Sequence, residues 1–254
     1  MPSLHKSFKW CLDLVFPRSC LGCGKDGSYL CPDCFESLPV TANANCPFCG
    51  RRSPTGYACQ SCRHRHYSLL SGILVASDWN NLLLRQIIYE YKYRFVKELS
   101  APLSELMINF LERIDFVKML KCSNVEMIFI PVPLHKKRFA WRGFNQSELL
   151  ARQVGEKLNA EPSNDILIRS RRTLPQREIA GKKARTANIK NAFALSEKYS
   201  RFLPSPDAAE NPIKNKIVIL VDDVCTTGST LQDCARALKP LKPKEIWCLV
   251  VARG

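Results

Sequence analysis

Two stretches of the 254-residue chain concentrate side chains that could do chemistry. In "ILVDDVCTTGST", Ile219 to Thr230, an apolar run ends in the carboxylates Asp222 and Asp223, followed by Cys225 and a turn of hydroxyls around Gly228. Nearer the N-terminus, cysteines recur as C-x-x-C pairs: Cys20/Cys23, Cys31/Cys34, Cys46/Cys49 and Cys59/Cys62.

In each pair two thiolates converge from one tight turn, and two such turns complete a tetrahedral sulfur shell. Zinc fits this pattern, and four-thiolate sites also suit iron. Sequential pairing gives one site from the first four cysteines and one from the last four; the sequence does not exclude an interleaved pairing. Either way every coordination position is filled by protein, so the metals are structural. With eight thiolates at hand, His64 and His66 read as surface residues. The N-terminal residues do not read as a secretory signal, so a reducing cytosol is expected, which argues against a disulfide framework for the thirteen cysteines.

The acidic turn needs a different partner. A glycine-bearing run of hydroxyls entering a helix exposes amides and a favourable dipole to a phosphate, with Thr226, Thr227, Ser229 and Thr230 donating and Gly228 permitting close approach. Asp222 and Asp223 would repel that phosphate. They suit hydrogen-bond donors or a cation beside it, such as ribose hydroxyls or magnesium carried on a pyrophosphate. The ligand that combines these groups is 5-phosphoribosyl 1-pyrophosphate (PRPP). The plain alternative for Asp222 is a cap on the following turn, and Cys225, with no base beside it, reads as a spacer.

The elements that position these residues alternate. Residues 71–77, 126–133, 216–221 and 245–251 read as strands; 80–92, 97–119, 145–158 and 229–238 read as helices, with 184–192 as a further candidate. This implies an α/β fold, a mostly parallel sheet flanked by helices, with ligands bound beyond the carboxyl ends of its strands. A small N-terminal zinc-ribbon module precedes it. The expected division is an amphipathic helix over 1–18, a double zinc ribbon over 19–66 and the sheet domain over 70–254. Residues 197–215, polar and proline-bearing, read as a surface loop. No apolar run is long enough to span a membrane, and a cytoplasmic location is expected.

The net charge of +15 favours a polyanionic partner. A basic run from Arg169 to Lys190 contributes strongly to it, although such a run can equally be a solvated face.

"VILVDDVCTTGSTL" resembles the PRPP motif of type I phosphoribosyltransferases. With the cysteine pairs, "YKYR" at 91–94, "PVP…RGFNQSELLA" and the stretch from Gln176 to Phe193, the chain resembles the ComF family over nearly its whole length. The resemblance implies a double zinc ribbon followed by a phosphoribosyltransferase-like domain. Asp222 and Asp223 would then be the catalytic pair holding the ribose, and Thr226, Thr227, Gly228, Ser229 and Thr230 the phosphate turn. Arg142, Gly143, Asn145 and Gln146 would form the pyrophosphate loop, with Lys136, Lys137 and Arg138 adding charge. Gln176, Arg185 and Asn188 would lie on a flexible loop. Lys92 would either reach the ligand or sit solvated on its helix, Arg142 has a surface ion pair as its alternative, and Trp141 and Phe144 are candidates for base stacking.

Two roles follow from the resemblance. One is natural competence, with the protein handling incoming single-stranded DNA in the cytoplasm, peripheral at the inner face of the membrane, beside a competence helicase and recombination proteins. The other is an active phosphoribosyltransferase with an unknown acceptor. Structural Zn2+ and Mg2+ arriving with PRPP are the implied cofactors.

Overall fold

The computed structural model describes residues 18–41, 46, 48–49, 51–53, 56–62, 69–122, 125–160, 162–171, 189–203, 205 and 211–254, with side chains left undescribed at 120–122. The expected helix over 1–18 therefore lies almost wholly outside the described residues, as do His64, His66 and the loop positions Gln176, Arg185 and Asn188.

Four strands form one all-parallel sheet: β1 (Gly72–Asp78), β2 (Met127–Pro131), β5 (Ile217–Cys225) and β6 (Glu245–Arg253), in the order β1-β6-β5-β2. Both faces are covered, and successive residues of one strand feed opposite cores. Trp247, Leu249 and Val251 join Ile219, Val221, Phe129 and Leu74 on one side. Cys248 and Val250 join Val218, Leu220, Ile130 and Ile73 on the other. This is the α/β arrangement that the alternating sequence pattern implies.

The first face is packed by α2 (Leu82–Tyr93), α3 (Ser100–Arg113) and α6 (Gln146–Lys157). Each places its apolar residues at helical spacing, as Leu84, Ile87, Ile88 and Tyr91 do on α2. Asn81 caps α2 by accepting from Leu84 N at 2.8 Å. The second face is packed by α8 (Ser229–Leu238), through Leu231, Cys234, Ala235 and Leu238. Short helices α1 (Pro32–Glu36), α4 (Phe116–Cys122), α5 (Lys136–Arg142) and α7 (Glu197–Ser200) complete the described set.

Three local expectations change. The helix foreseen over 97–119 is a 3-10 turn at Lys97–Leu99, then α3, then α4. The break falls at Asp115, whose φ of 51° is left-handed, a conformation aspartate tolerates better than most residues. The stretch over 197–215 is not merely a surface loop: Tyr199, Phe202 and Ile213 enter the second core. Finally, a two-stranded antiparallel sheet pairs β3 (Leu167–Arg169) with β4 (Phe193–Leu195). Its three-residue strands are too short for periodicity to reveal. Asp233 on α8 holds this sheet, accepting from the amides of Asn191, Ala192 and Phe193 at 3.0, 2.8 and 3.0 Å.

The cysteine module docks on the free edge of β1. Thr41 N donates to Ala76 O at 2.9 Å and Ala58 N to Ser71 O at 2.8 Å, while Ser77 Oγ donates to Pro39 O. Tyr57 packs edge-on against Trp247 at 4.4 Å. An edge that would otherwise present unpaired backbone groups is thereby covered.

Candidate functional site

Strand β5 runs four residues further than its apolar core, so Asp222 and Asp223 occupy the strand itself. Adjacent residues of an extended strand point apart, and different partners hold the two acids. Ser147 Oγ, in the first turn of α6, donates to Asp222 Oδ1 at 2.8 Å, and Asp223 N donates to the same oxygen at 2.9 Å. Asp223 Oδ1 pairs with Lys92 Nζ at 2.9 Å and accepts from Val224 N at 2.6 Å. The second oxygen of Asp223 is buried and has no protein partner. Burial first, and then the neighbouring Asp223 charge, push the Asp222 carboxyl up to about 7. Lys92 is thus an ion-pair partner of Asp223 on the cleft wall and not a lysine solvated on its helix.

After β5 the chain turns through Thr226–Thr230 into α8. Gly228 sits at φ 77°, left-handed as such a turn requires. Thr227 Oγ1 and Ser229 Oγ are 2.7 Å apart, so the hydroxyls brace one another. Gly228, the N-cap of α8, has no side chain to cap it, and Ser229 N donates to Thr227 Oγ1 at 3.3 Å. Cys225 is buried, and burial raises its thiol to about 11, so it is no nucleophile.

Across from this turn lies the segment after β2. Helix α5 ends at Gly143, left-handed at φ 75°, and Asn145 caps α6. Asn145 acts as a brace: its Nδ2 donates to Val132 O at 3.1 Å and its Oδ1 accepts from Ser147 N at 3.2 Å. Arg142 and Gln146 have open valences instead. Arg142 is 8% exposed with Nε and Nη1 unpartnered, and Gln146 is 6% exposed with Oε1 unpartnered. A buried guanidinium without an acceptor is costly, and desolvation lowers its pKa while Asp223 offsets this. Such a group is built to receive an anion. Arg142 is therefore not a surface ion-pair residue.

These pieces enclose a cleft of about 620 Å³ lined by Asp222, Asp223, Thr226, Thr230, Arg142, Gln146, Ser147 and Lys92. The sequence did not assign several further lining residues to the site: Arg85, Tyr89, Tyr93, Ser147 as a partner of Asp222, and Arg169. Tyr89 and Arg85 carried a signal in their helical spacing with Tyr93; Arg169 was visible only as one charge among many. Phe144, a stacking candidate by sequence, is buried and packs against Tyr91 at 5.8 Å. Trp141 is 59% exposed on the cleft wall.

The cysteines resolve into two quartets, Cys20/Cys23/Cys31/Cys34 and Cys46/Cys49/Cys59/Cys62, each with all four sulfurs within 4.8 Å of one another. The pairing is sequential. A zinc with bonds of about 2.3 Å demands tetrahedral sulfur–sulfur edges of about 3.8 Å, and Cys23···Cys31 and Cys49···Cys59 are both 3.7 Å. Cys31 N donates to Cys20 Sγ and Cys59 N to Cys46 Sγ, each at 3.3 Å. Burial pushes the Cys20 and Cys46 thiols up, but amide donors outweigh it and bring both down to about 6, the range in which a thiolate ligand forms readily. The donor set fits two structural zinc ions.

Comparison with known proteins agrees with this layout. A double zinc ribbon domain model matches residues 11–63, and a phosphoribosyl transferase domain model matches residues 147–254. Competence protein F of Haemophilus influenzae is 27% identical over 239 residues, spanning 89% of this chain and 98% of its own. The DNA utilization protein YhgH of Escherichia coli K12 is 26% identical over 237 residues, spanning 87% and 96%. Competence protein ComFC of Bacillus subtilis is 27% identical over 218 residues, spanning 84% and 79%. Among the described residues no helix is long and apolar enough to cross a membrane.

Proposed function

Because the chain is a ComF-family protein that joins a double zinc ribbon to a phosphoribosyltransferase-like domain, we propose that its cleft binds PRPP or a related phosphoribosyl ligand and that it serves natural competence by handling incoming single-stranded DNA. The observation that carries the ligand reading is the complementarity of the cleft walls. An acidic pair with an open oxygen and a hydroxyl turn at a helix N-terminus face a buried arginine with two unpartnered nitrogens.

On this reading Asp222 and Asp223 accept hydrogen bonds from the ribose hydroxyls. The Thr226–Thr230 turn holds the 5-phosphate, and Arg142 and Gln146 meet the pyrophosphate, whose magnesium arrives with it. Lys92, paired with Asp223 at 2.9 Å, keeps that carboxylate oriented until the sugar comes. Gly143 and Asn145 set the loop that aims Arg142.

The match to a phosphoribosyl transferase domain favours a second reading, turnover with an unknown acceptor. Departure of pyrophosphate would leave an oxocarbenium-like sugar, which the two carboxylates are placed to stabilise. Pyrophosphate release in the presence of candidate acceptors separates turnover from binding alone.

The test is ligand truncation. Ribose 5-phosphate should bind the wild type more tightly than 2-deoxyribose 5-phosphate, and the difference should vanish in Asp222→Asn/Asp223→Asn. Equal affinity of the two sugars for the wild type would count against the acids as the ribose site. Single-stranded DNA should bind with an affinity that falls steeply as salt rises, as backbone contacts require; salt-independent or absent binding removes the DNA part of the reading. The competence helicase and recombination proteins are the partners to seek by co-purification.

A further inference from the structure

The cleft opens between the two layers that cover the sheet, and each layer brings an arginine to it. On the first face Arg142, at the end of α5, lies over the Tyr93 ring at 5.9 Å. On the second face Arg169, the last residue of β3, lies over the Phe193 ring at 5.2 Å. Alternation along β3 turns Arg169 to the side of Leu167, which packs in the second core with Phe193, Leu231 and Cys234, while Ile168 points outward. Arg169 thus stands on the wall built on α8, where Thr226 and Thr230 also line the cavity. Burial first, and then the Arg138 charge, bring its guanidinium down to about 10. A cation held among apolar groups and facing a like charge is completed by an anion.

The support beneath Arg169 is firmer than a three-residue strand supplies by itself. Asp233, about one turn into α8 and buried, accepts from the amides of Asn191, Ala192 and Phe193 and from Arg236 Nε at 2.9 Å. Arg236 Nη2 in turn donates to Phe193 O at 2.9 Å. Phe193 is the residue paired with Arg169 across the two-stranded sheet, and its ring is the surface on which the guanidinium rests. One helix therefore carries the hydroxyl turn at its start and, a turn later, the clamp that fixes the platform of Arg169. We propose that Arg169 is a second anion-binding arginine of the cleft, taking the 5-phosphate beside the Thr226–Thr230 turn, and that Asp233 is its positioning residue. The inference rests on the phosphoribosyl reading and adds to its phosphate end. It divides the two arginines by layer, Arg142 to the pyrophosphate and Arg169 to the 5-phosphate.

Calorimetry on the full zinc-loaded chain tests this with two probes, ribose 5-phosphate and magnesium pyrophosphate. Arg169→Met should weaken ribose 5-phosphate about tenfold or more while magnesium pyrophosphate stays within about twofold of wild type, which also shows that the variant is folded. Asp233→Asn should show the same selective loss. So should Phe193→Leu, which keeps the core apolar and removes only the ring beneath Arg169. The double variant Arg169→Met/Asp233→Asn should bind ribose 5-phosphate no worse than Arg169→Met alone, because both changes act through one guanidinium. Unchanged ribose 5-phosphate affinity in Arg169→Met, or an equal loss of both probes, overturns the assignment and leaves the phosphoribosyl reading standing. Selectivity untouched in both Asp233→Asn and Phe193→Leu, or a further loss in the double variant, overturns the positioning role of Asp233. A wild type that binds neither probe overturns the phosphoribosyl reading and this inference with it.

Discussion

The two cysteine quartets and the acidic cleft both gather ionisable side chains at close range, yet they are held together by opposite means. Among the described residues up to 62, the buried apolar side chains are Leu38, Ala58 and four of the cysteines themselves. The zinc module therefore has almost no core apart from its ligands. The cleft stands on strand β5, where Ile217, Val218, Ile219, Leu220 and Val221 are all buried, and on helices packed against both faces. In the first region the metal makes the structure; in the second the structure comes first and makes the site.

Zinc removal should separate the two regions most sharply. Structural zinc contributes an apparent ~10–16 kcal/mol in small modules, so a strong chelator should release two zinc ions per chain and unfold the module. Hydrogen exchange should then rise across residues 18–62 while β5 and β6 stay protected. Aggregation should follow, since the edge of β1 loses its cover. Protection retained by the module after full metal loss would contradict the account.

Next in size is Asp233→Ala. It removes the acceptor that Asn191, Ala192 and Phe193 amides share with Arg236 Nε, which pairs with Asp233 at 2.9 Å, although Ala192 N keeps Ile189 O and Arg236 Nη2 keeps Phe193 O. A loss of about 3 kcal/mol or more is expected in denaturant unfolding, with the zinc content unchanged.

The effect of pH on the cleft should be smaller and of definite sign. Asp222 titrates near 7 in the fold, above its ordinary value near 3.8. The folded state thus retains a proton that the unfolded chain has lost, and this group's contribution to stability falls as pH rises between those values. Ligand binding runs the other way, because only the carboxylate accepts from two donors at once. The ionised fraction grows about tenfold from pH 6 to pH 8, so ribose 5-phosphate should bind several-fold tighter at the higher pH. In Asp222→Asn only the titration of the phosphate itself should remain.

Smallest is Tyr91→Phe, which removes the hydroxyl that donates to Gln146 O at 2.8 Å. About 1 kcal/mol of stability should be lost, together with a modest weakening of ligand binding through α6.

The legibility of the molecule follows the same division. The quartets could be read from spacing alone, because a knuckle is a local structure; only the choice of sequential pairing needed coordinates. The four parallel strands and the helix over 229–238 were readable because their burial is complete and periodic. What escaped was non-local or short. Lys92 reaches Asp223 across more than half the chain, and Ser147 reaches Asp222 across 75 residues. Nothing local marks either. The aromatic residues of the cleft wall were half visible: Trp141 stood out in a basic segment, but Tyr89 needed the direction of α2 to show that it faces away from the core. Phe144 misled, since an aromatic residue beside charges can as easily turn inward.

The central claim is that the carboxylates, the threonine turn and the buried arginine act on one phosphoribosyl ligand. Calorimetric titration with magnesium and PRPP tests it most directly, on wild type beside Asp222→Asn/Asp223→Asn and Arg142→Met. The account predicts saturable one-to-one binding by the wild type and a loss of at least about tenfold in each variant. Undiminished binding by both variants, or no binding by the zinc-loaded wild type, would contradict it.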